Sequence, residues 1–128
     1  MRPGQLGLIA VLAGLAVAPG GAAAAPGEPS SYRGDCKLVV DGTTYFDIKK
    51  TCPVYEFNDE WGTVIVNSDG EAALGAYFAY INPNGDGTAT VSWNEQKGAP
   101  NARATLGEDF TLKDGCWSNG RATLCAGR

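Results

Sequence analysis

The sequence predicts a small all-β domain, an antiparallel barrel or sandwich of about eight short strands held by two disulfides. Short runs rich in β-branched and aromatic residues recur about every ten residues, with Gly, Asn, Asp or Pro between them. No segment after the first 25 residues keeps a helical period of apolar residues. Closing such a sheet hides the edges of its strands, which favours a barrel or a two-layer sandwich.

The predicted strands follow one another along the chain as hairpins. Asp41-Gly42 suits the positive φ angles of a tight turn and separates KLVV from TTYFDI, which makes the first hairpin. The next strands are PVYEF, GTVIVN, ALGAYFAYI, GTATVSW and DFTLK, and CWSNGRATLC forms the last hairpin. The three tryptophans are expected to pack in the core or on a disulfide, because large aromatic side chains contribute most where they are buried.

The first residues have the organisation of a secretory signal peptide. A basic residue, Arg2, precedes an apolar run from Leu6 to Val17 and a stretch of small residues. This run is too short to span a bilayer, so we expect cleavage after Ala24 and no stable membrane insertion. The predicted organisation is a signal peptide at 1–24, a flexible tether at 25–34 and a disulfide-stabilised β domain at 35–128, in the periplasm or secreted.

Four cysteines in an exported chain of this length indicate disulfides. Three pairings are open, and we favour Cys36 with Cys52 and Cys116 with Cys125, because each pair encloses its own turn. In the last hairpin a four-residue loop, NGRA, places Cys116 opposite Cys125, whereas a two-residue turn does not. Zinc is disfavoured, since the chain has no histidine and no C-x-x-C pair.

Charge limits the class of partner. Removing Arg2 with the signal leaves nine basic residues against fourteen acidic ones, a net charge of −5. An acidic surface argues against nucleic acid and favours a basic protein partner, although solubility alone also explains moderate charge.

A calcium loop is the first hypothesis for the stretch INPNGDGT. Its Asn82, Asn84, Asp86 and Thr88 have the spacing of oxygen ligands. The twelfth position, which needs a bidentate glutamate, is Trp93, and the flanking segments read as strands. A hairpin turn explains the stretch without a metal, and we expect no metal or other cofactor.

Catalytic groups are scarce. Without histidine or a free thiol, a nucleophile lacks its usual base. Asp59-Glu60 beside Trp61 is the one cluster that would suit a small carboxylate-dependent glycoside hydrolase, and a solvated turn is the simpler interpretation. We therefore expect no enzyme activity.

Two family resemblances follow from the motifs. CKLVVDGTTYFDIKKTCP, YFAYINPNGDGTATVSWN and LKDGCWSNGRATLC resemble an uncharacterised family of short secreted bacterial proteins with two disulfides. The chain also resembles, more distantly, the small periplasmic inhibitors of c-type lysozyme, which are β-barrels with a Ser-Gly-x-x-Tyr motif, a following Trp and Lys-Gly, and a late cysteine. In this chain the motif falls on Leu74-Gly75-Ala76-Tyr77-Phe78, then Trp93, Lys97-Gly98 and Cys116.

The lysozyme-inhibitor resemblance implies a binding site. Its contact residues would be Gly75, Ala76, Tyr77, Phe78, Trp93 and Lys97. Leu74 and Phe78 depart from the family's serine and tyrosine, so inhibition is expected to be weaker or directed at another hydrolase. The sequence therefore predicts a non-catalytic binding module, with inhibition of a basic, lysozyme-like hydrolase as its concrete form and a structural, envelope-associated protein as the alternative.

Overall fold

The computed structural model describes residues 29–57, 62–70 and 72–128. Eight antiparallel strands form one sheet, in which each strand pairs with the next along the chain and β8 pairs with β1 to close a barrel. The strands are β1 Pro29–Val40, β2 Thr43–Phe57, β3 Val64–Val66, β4 Ala79–Pro83, β5 Thr88–Trp93, β6 Ala104–Lys113, β7 Cys116–Ser118 and β8 Ala122–Gly127. The predicted all-β class is confirmed, and of the two predicted architectures the structure is the barrel.

The core fills the inside of the barrel. β5 alternates strictly, with Ala89, Val91 and Trp93 buried and the residues between them partly exposed. Alternation of this kind is required wherever one face of a sheet is buried, because successive side chains point to opposite faces. Phe110 on the neighbouring β6 and Leu124 on β8 are also fully buried, so apolar side chains and not a channel occupy the centre.

Local turn chemistry sets two of the hairpins. Asp41 and Gly42 have φ angles of 50° and 82°, as a type I′ turn requires. Asp114 and Gly115 repeat this pair between β6 and β7, with φ angles of 52° and 80°. The Asp41-Gly42 turn is therefore confirmed, and the same chemistry makes the turn before β7.

Both predicted disulfides are present. Cys36 bonds Cys52 across β1 and β2, with Cα atoms 5.8 Å apart. Cys116 lies directly opposite Cys125, and the Asn119 N–H donates to the carbonyl of Ala122, which closes the four-residue loop expected from the register argument. Two disulfides indicate an oxidising, extracytoplasmic compartment.

Four predicted boundaries are wrong. TTYFDI and PVYEF, predicted as separate strands, belong to one continuous strand, β2. Residues 29–34, placed in the flexible tether, form the first half of β1 and pair with residues 52–57 of β2. The predicted strand ALGAYFAYI is extended only from Ala79, because the backbone before it bonds to side chains and loops instead of a neighbouring strand. β6 begins at Ala104, five residues before the predicted DFTLK. Residues 1–28, with the predicted signal peptide, lie outside the described residues.

The connections alternate between the two ends of the barrel, since consecutive strands run in opposite directions. Turn 41–42, the loops 67–78 and 94–103, and turn 119–121 lie at one end. Turns 84–87 and 114–115 lie at the other end with the start of β1. Within the described ranges the chain has no helix of the length and hydrophobicity that would cross a membrane.

Candidate functional site

The two long connections at one end of the barrel form the candidate site, which we call the loop pair: residues 67–78, of which Glu71 is not described, and residues 94–103. The backbone N–H of Gly98 donates to the carbonyl of Ala76 at 2.8 Å and joins the loops. The structure therefore brings together the two segments that the sequence separates, residues 75–78 and the loop around Lys97.

Asn94 holds the loop pair from inside. Its side chain is almost completely buried, and its Oδ1 accepts from the Phe78 N–H at 3.0 Å. Its Nδ2 lies 3.1 Å from the carbonyl oxygens of both Ala76 and Ala99 and 3.3 Å from that of Gln96. One amide group thus satisfies backbone atoms in both loops that have no ladder partner.

Asn67 fixes the first loop from its other side. It is 4% exposed, has a φ angle of 64°, and its Nδ2 donates to the Tyr77 carbonyl at 2.6 Å. The Asn67 carbonyl accepts from the Leu74 N–H at 3.2 Å. A Cβ atom on Gly75 would lie 3.0 Å from the Asn67 Nδ2, so only glycine fits against this amide without displacing it.

The predicted contact residues divide by exposure. Gly75 and Lys97 are exposed, and Ala76 and Tyr77 are half-buried. Phe78 is 0% exposed and Trp93 is 3% exposed, so these two residues support the loops from within. They do not form the surface contacts that the resemblance implies. Leu74, in contrast, is 51% exposed and lines a separate cavity with Ser31, Arg33 and Pro53.

An aromatic cluster ties the first loop to the barrel. The Tyr45 ring lies 4.9 Å from that of Tyr77 and 4.7 Å from that of Trp93, both in edge-to-face geometry. Tyr77 and Trp93 stack with centroids 6.0 Å apart. Such pairs each add about 0.5 to 1.5 kcal/mol beyond the area they bury, so Tyr77 anchors the loop as well as lining its surface. Trp93 is thereby the core tryptophan that the sequence predicts.

A groove of about 410 Å³ runs along the second loop. Asn94, Pro100 and Asn101 line it together with one acidic residue, Glu95, and one basic residue, Arg103. Because the groove has one residue of each charge, it suits a polar peptide segment of positive or negative charge. Gln96 and Ala99, which flank Lys97-Gly98 in the chain, also line it.

The Asn82–Thr88 stretch is a hairpin turn that uses its own oxygen atoms. Asp86 accepts from the Thr88 N–H at 3.0 Å and from the Thr88 hydroxyl at 2.5 Å, and these bonds lower the pKa of its carboxyl. Asn84 donates to the Thr88 hydroxyl and to the Glu108 carbonyl. The predicted hairpin is confirmed, and the oxygens that suggested calcium serve the turn.

The described residues contain no cluster of three or more acidic or cysteine side chains arranged for a metal. The Asp59-Glu60-Trp61 cluster, the candidate for glycoside cleavage, lies outside the described residues. The loop pair itself contains amide groups, an exposed lysine and an exposed leucine. It also holds the exposed carboxylates of Asp69 and Glu95 and the guanidinium of Arg103.

Sequence reasoning missed Asn67 and Asn94, the two residues that organise the site. Each directly ends a predicted strand and precedes a polar segment, in GTVIVN and in VSWN. Asparagine side chains bond to nearby backbone groups and tolerate positive φ, so an Asn that ends a strand before an irregular loop is a usable signal.

Comparison of the chain with known protein families, curated proteins and solved structures gives no match. Both family resemblances therefore stay predictions from the motifs. The geometry of the loop pair is the remaining basis for assigning a function.

Proposed function

We propose that the protein is a non-catalytic binding module whose loop pair contacts a protein partner outside the cytoplasm. The observation that carries this proposal is the double clamp: Asn67 and Asn94 hold two exposed loops in one arrangement on a closed, disulfide-bonded barrel. Loops that are already ordered lose little conformational entropy on binding, which favours affinity for a rigid target.

A basic, lysozyme-like cell-wall hydrolase is the partner class that these loops fit best. Glycoside hydrolases of this kind work with two carboxyl groups in a cleft. Gly98, with a φ angle of 78°, turns the chain directly after Lys97, and the Lys97 residue is exposed. Its pairing with a cleft carboxylate is a charge-assisted contact. The resemblance to inhibitors of c-type lysozyme supports the same assignment.

Charge contributes to the encounter more than to the contact. The described residues hold nine basic and ten acidic side chains, and the remaining acidic residues are Glu28, Asp59, Glu60 and Glu71. The loop pair itself holds Asp69, Glu71 and Glu95 against Lys97 and Arg103, so most of the net negative charge lies elsewhere in the chain. It steers a basic partner at long range, and this effect fades with salt because exposed charges are screened over about 8 Å at physiological ionic strength.

The proposed location is the periplasm or the medium, after removal of residues 1–24. The two disulfides support an oxidising compartment. Intact-mass analysis of exported protein tests this location. We expect a mature chain that starts near Ala25, and a membrane fraction retaining Met1 to Ala24 would contradict it.

Inhibition assays against c-type, g-type and i-type lysozymes test the function. We expect micromolar or tighter inhibition of at least one of them, weaker at moderate than at low salt. Two exposed leucines provide matched variants: Leu74→Arg at the loop pair should abolish inhibition, and Leu112→Arg at the opposite end should retain it. Gly75→Arg is less informative, because its side chain would also displace Asn67.

The assays also identify the alternatives. An absence of inhibition across all three lysozymes would remove this function and favour a structural, envelope-associated protein. Equal loss with both leucine variants would keep the activity but reject the loop pair as its site.

A further inference from the structure

A second concave surface lies at the other end of the barrel, where a cavity of about 230 Å³ opens between the strands. We call it the mouth and define it by Tyr32, Glu56, Val64, Ile81, Leu112 and Trp117. These residues come from six of the eight strands, so the cavity is the open end of the barrel and not a crevice on its wall. Barrel mouths are a preferred place for small-molecule sites.

The walls of the mouth are the inner face of the sheet. Trp117 pairs with Leu124, which is fully buried in the core, and also with Leu112. Ile81 pairs with Val64, and both side chains face the interior. Leu112 nevertheless has 56% of its surface exposed, although it lies on the apolar inner face. An apolar lining with one exposed leucine at its rim leaves room for an apolar group.

One edge of the mouth already holds a cation. The guanidinium of Arg128 lies over the Tyr32 ring, 4.3 Å from its centroid, and 3.9 Å from a carboxylate oxygen of Glu56. Glu56 lies on the inner face because it is two residues from the buried Val54. Burial, followed by the negative charge of Glu56, raises the pKa of the Tyr32 phenol. The Tyr32 ring and the Glu56 carboxylate thus form a site that attracts cations, and apolar side chains lie beside it.

We propose that the mouth binds a small organic cation, with its charged group against Tyr32 and Glu56 and its apolar part against Trp117. The cavity of about 230 Å³ is large enough to hold a small cation such as choline. Aromatic faces next to a carboxylate attract quaternary ammonium and guanidinium groups in this way. The proposal does not depend on the function of the loop pair.

Arg128 is a competitor that a ligand displaces at low cost. Its side chain is 71% exposed, and its long contact with Glu56 is of the surface type that contributes little. A free cation with an apolar body gains the contacts with Trp117 and Leu112 that Arg128 leaves unused. Removing the guanidinium should therefore tighten ligand binding.

Choline chloride is the probe, titrated into the full chain while NMR follows the Trp117 indole N–H and the Leu112 methyl groups. The neutral analogue 3,3-dimethyl-1-butanol has the same shape without the charge, and potassium chloride controls for ionic strength. We expect saturable shifts with choline at both reporters, and no comparable shifts with the analogue or the salt.

Paired variants distinguish a direct contact of the ligand with this site from a general effect of the protein's net charge. Glu56→Gln should weaken choline binding about fivefold, whereas Glu95→Gln at the other end changes the same net charge and should have no effect. Arg128→Ala should tighten binding about threefold, with Arg121→Ala as its control. The spectra report directly that each variant is folded.

Three results would overturn the proposal. They are an absence of shifts at Trp117 and Leu112 with choline, equal binding of the neutral analogue, and equal effects of Glu56→Gln and Glu95→Gln.

Discussion

Replacing Asn94 by alanine should separate the two loops without removing a surface contact. The change leaves the N–H of Phe78, a fully buried residue, without its acceptor, and it removes three donated bonds to backbone carbonyls. A buried group left unpaired costs about 1 to 3 kcal/mol, and each lost bond has a net value of about 0.5 to 1.5 kcal/mol. The Ala76 carbonyl keeps its bond from the Gly98 N–H, and the Gln96 carbonyl keeps its bond from the Ala99 N–H.

We therefore expect Asn94→Ala to lower the free energy of unfolding by about 2 to 4 kcal/mol. For a domain of this size the melting temperature should fall by about 15 °C. Urea denaturation measures the free energy, and hydrogen exchange should show lost protection at the amides of Phe78 and Gly98. Asn101→Ala, in the exposed part of the same loop, should change stability by less than about 0.5 kcal/mol. Equal stability of the two variants would refute the claim that the Asn94 side chain holds the two loops together.

Four further predictions concern the barrel. Gly34→Ala should destabilise the fold by about 1 to 3 kcal/mol or more, because its Cβ would clash with the backbone oxygen of Gly127, whereas Gly127→Ala meets nothing and should be neutral in thermal melts. Thermal melts with calcium and with chelator should overlay, and a calcium shift that Asp86→Ala abolishes would contradict this. Because Thr88 lowers the Asp86 pKa, the carboxylate stabilises its turn at neutral pH, and acid titration by NMR should show this contribution lost below the ordinary aspartate range. Replacing both Cys116 and Cys125 by serine should lower the free energy of unfolding by about 3 kcal/mol, and an unchanged urea midpoint would contradict the loop-closure argument.

The features that the sequence predicts correctly are local ones. Asp41-Gly42 specifies its turn by backbone preference alone, and the four-residue loop fixes Cys116 opposite Cys125 by counting. The alternation in GTATVSW identifies β5 almost to the residue, because one of its faces is buried along its full length. Each of these features depends on neighbours in the chain, which a sequence displays directly.

The errors arise where partners are distant. Residues 29–34 have the composition of a tether, with proline, serine and glycine, and become a strand because residues 52–57 offer a complementary edge. Residues 74–78 have strand-like composition, yet Asn67 and Asn94 supply hydrogen bonds that replace the ladder. Neither pairing has a local signature, so composition alone misassigns both segments.

The candidate site was predictable in part. The motif resemblance predicts Gly75 and Lys97 as contact residues, and the structure places both exposed at one end of the barrel. Phe78 and Trp93, which the same resemblance predicts as contacts, are buried, because their large apolar side chains pack in the interior. The mouth with Tyr32 and Glu56 had no sequence signal, because its residues come from strands that are far apart in the chain.

The central claim is that the loop pair binds the proposed hydrolase. Lys97→Glu and Lys113→Glu test it most directly, because both lysines are exposed, lie at opposite ends of the barrel and change the net charge equally. Calorimetric titration with the most strongly inhibited lysozyme should show affinity reduced at least about tenfold by Lys97→Glu, because a contact with a carboxylate becomes repulsive. Lys113→Glu should leave the affinity unchanged or slightly raised. Equal affinities for the two variants would contradict the assignment of the loop pair as the binding site.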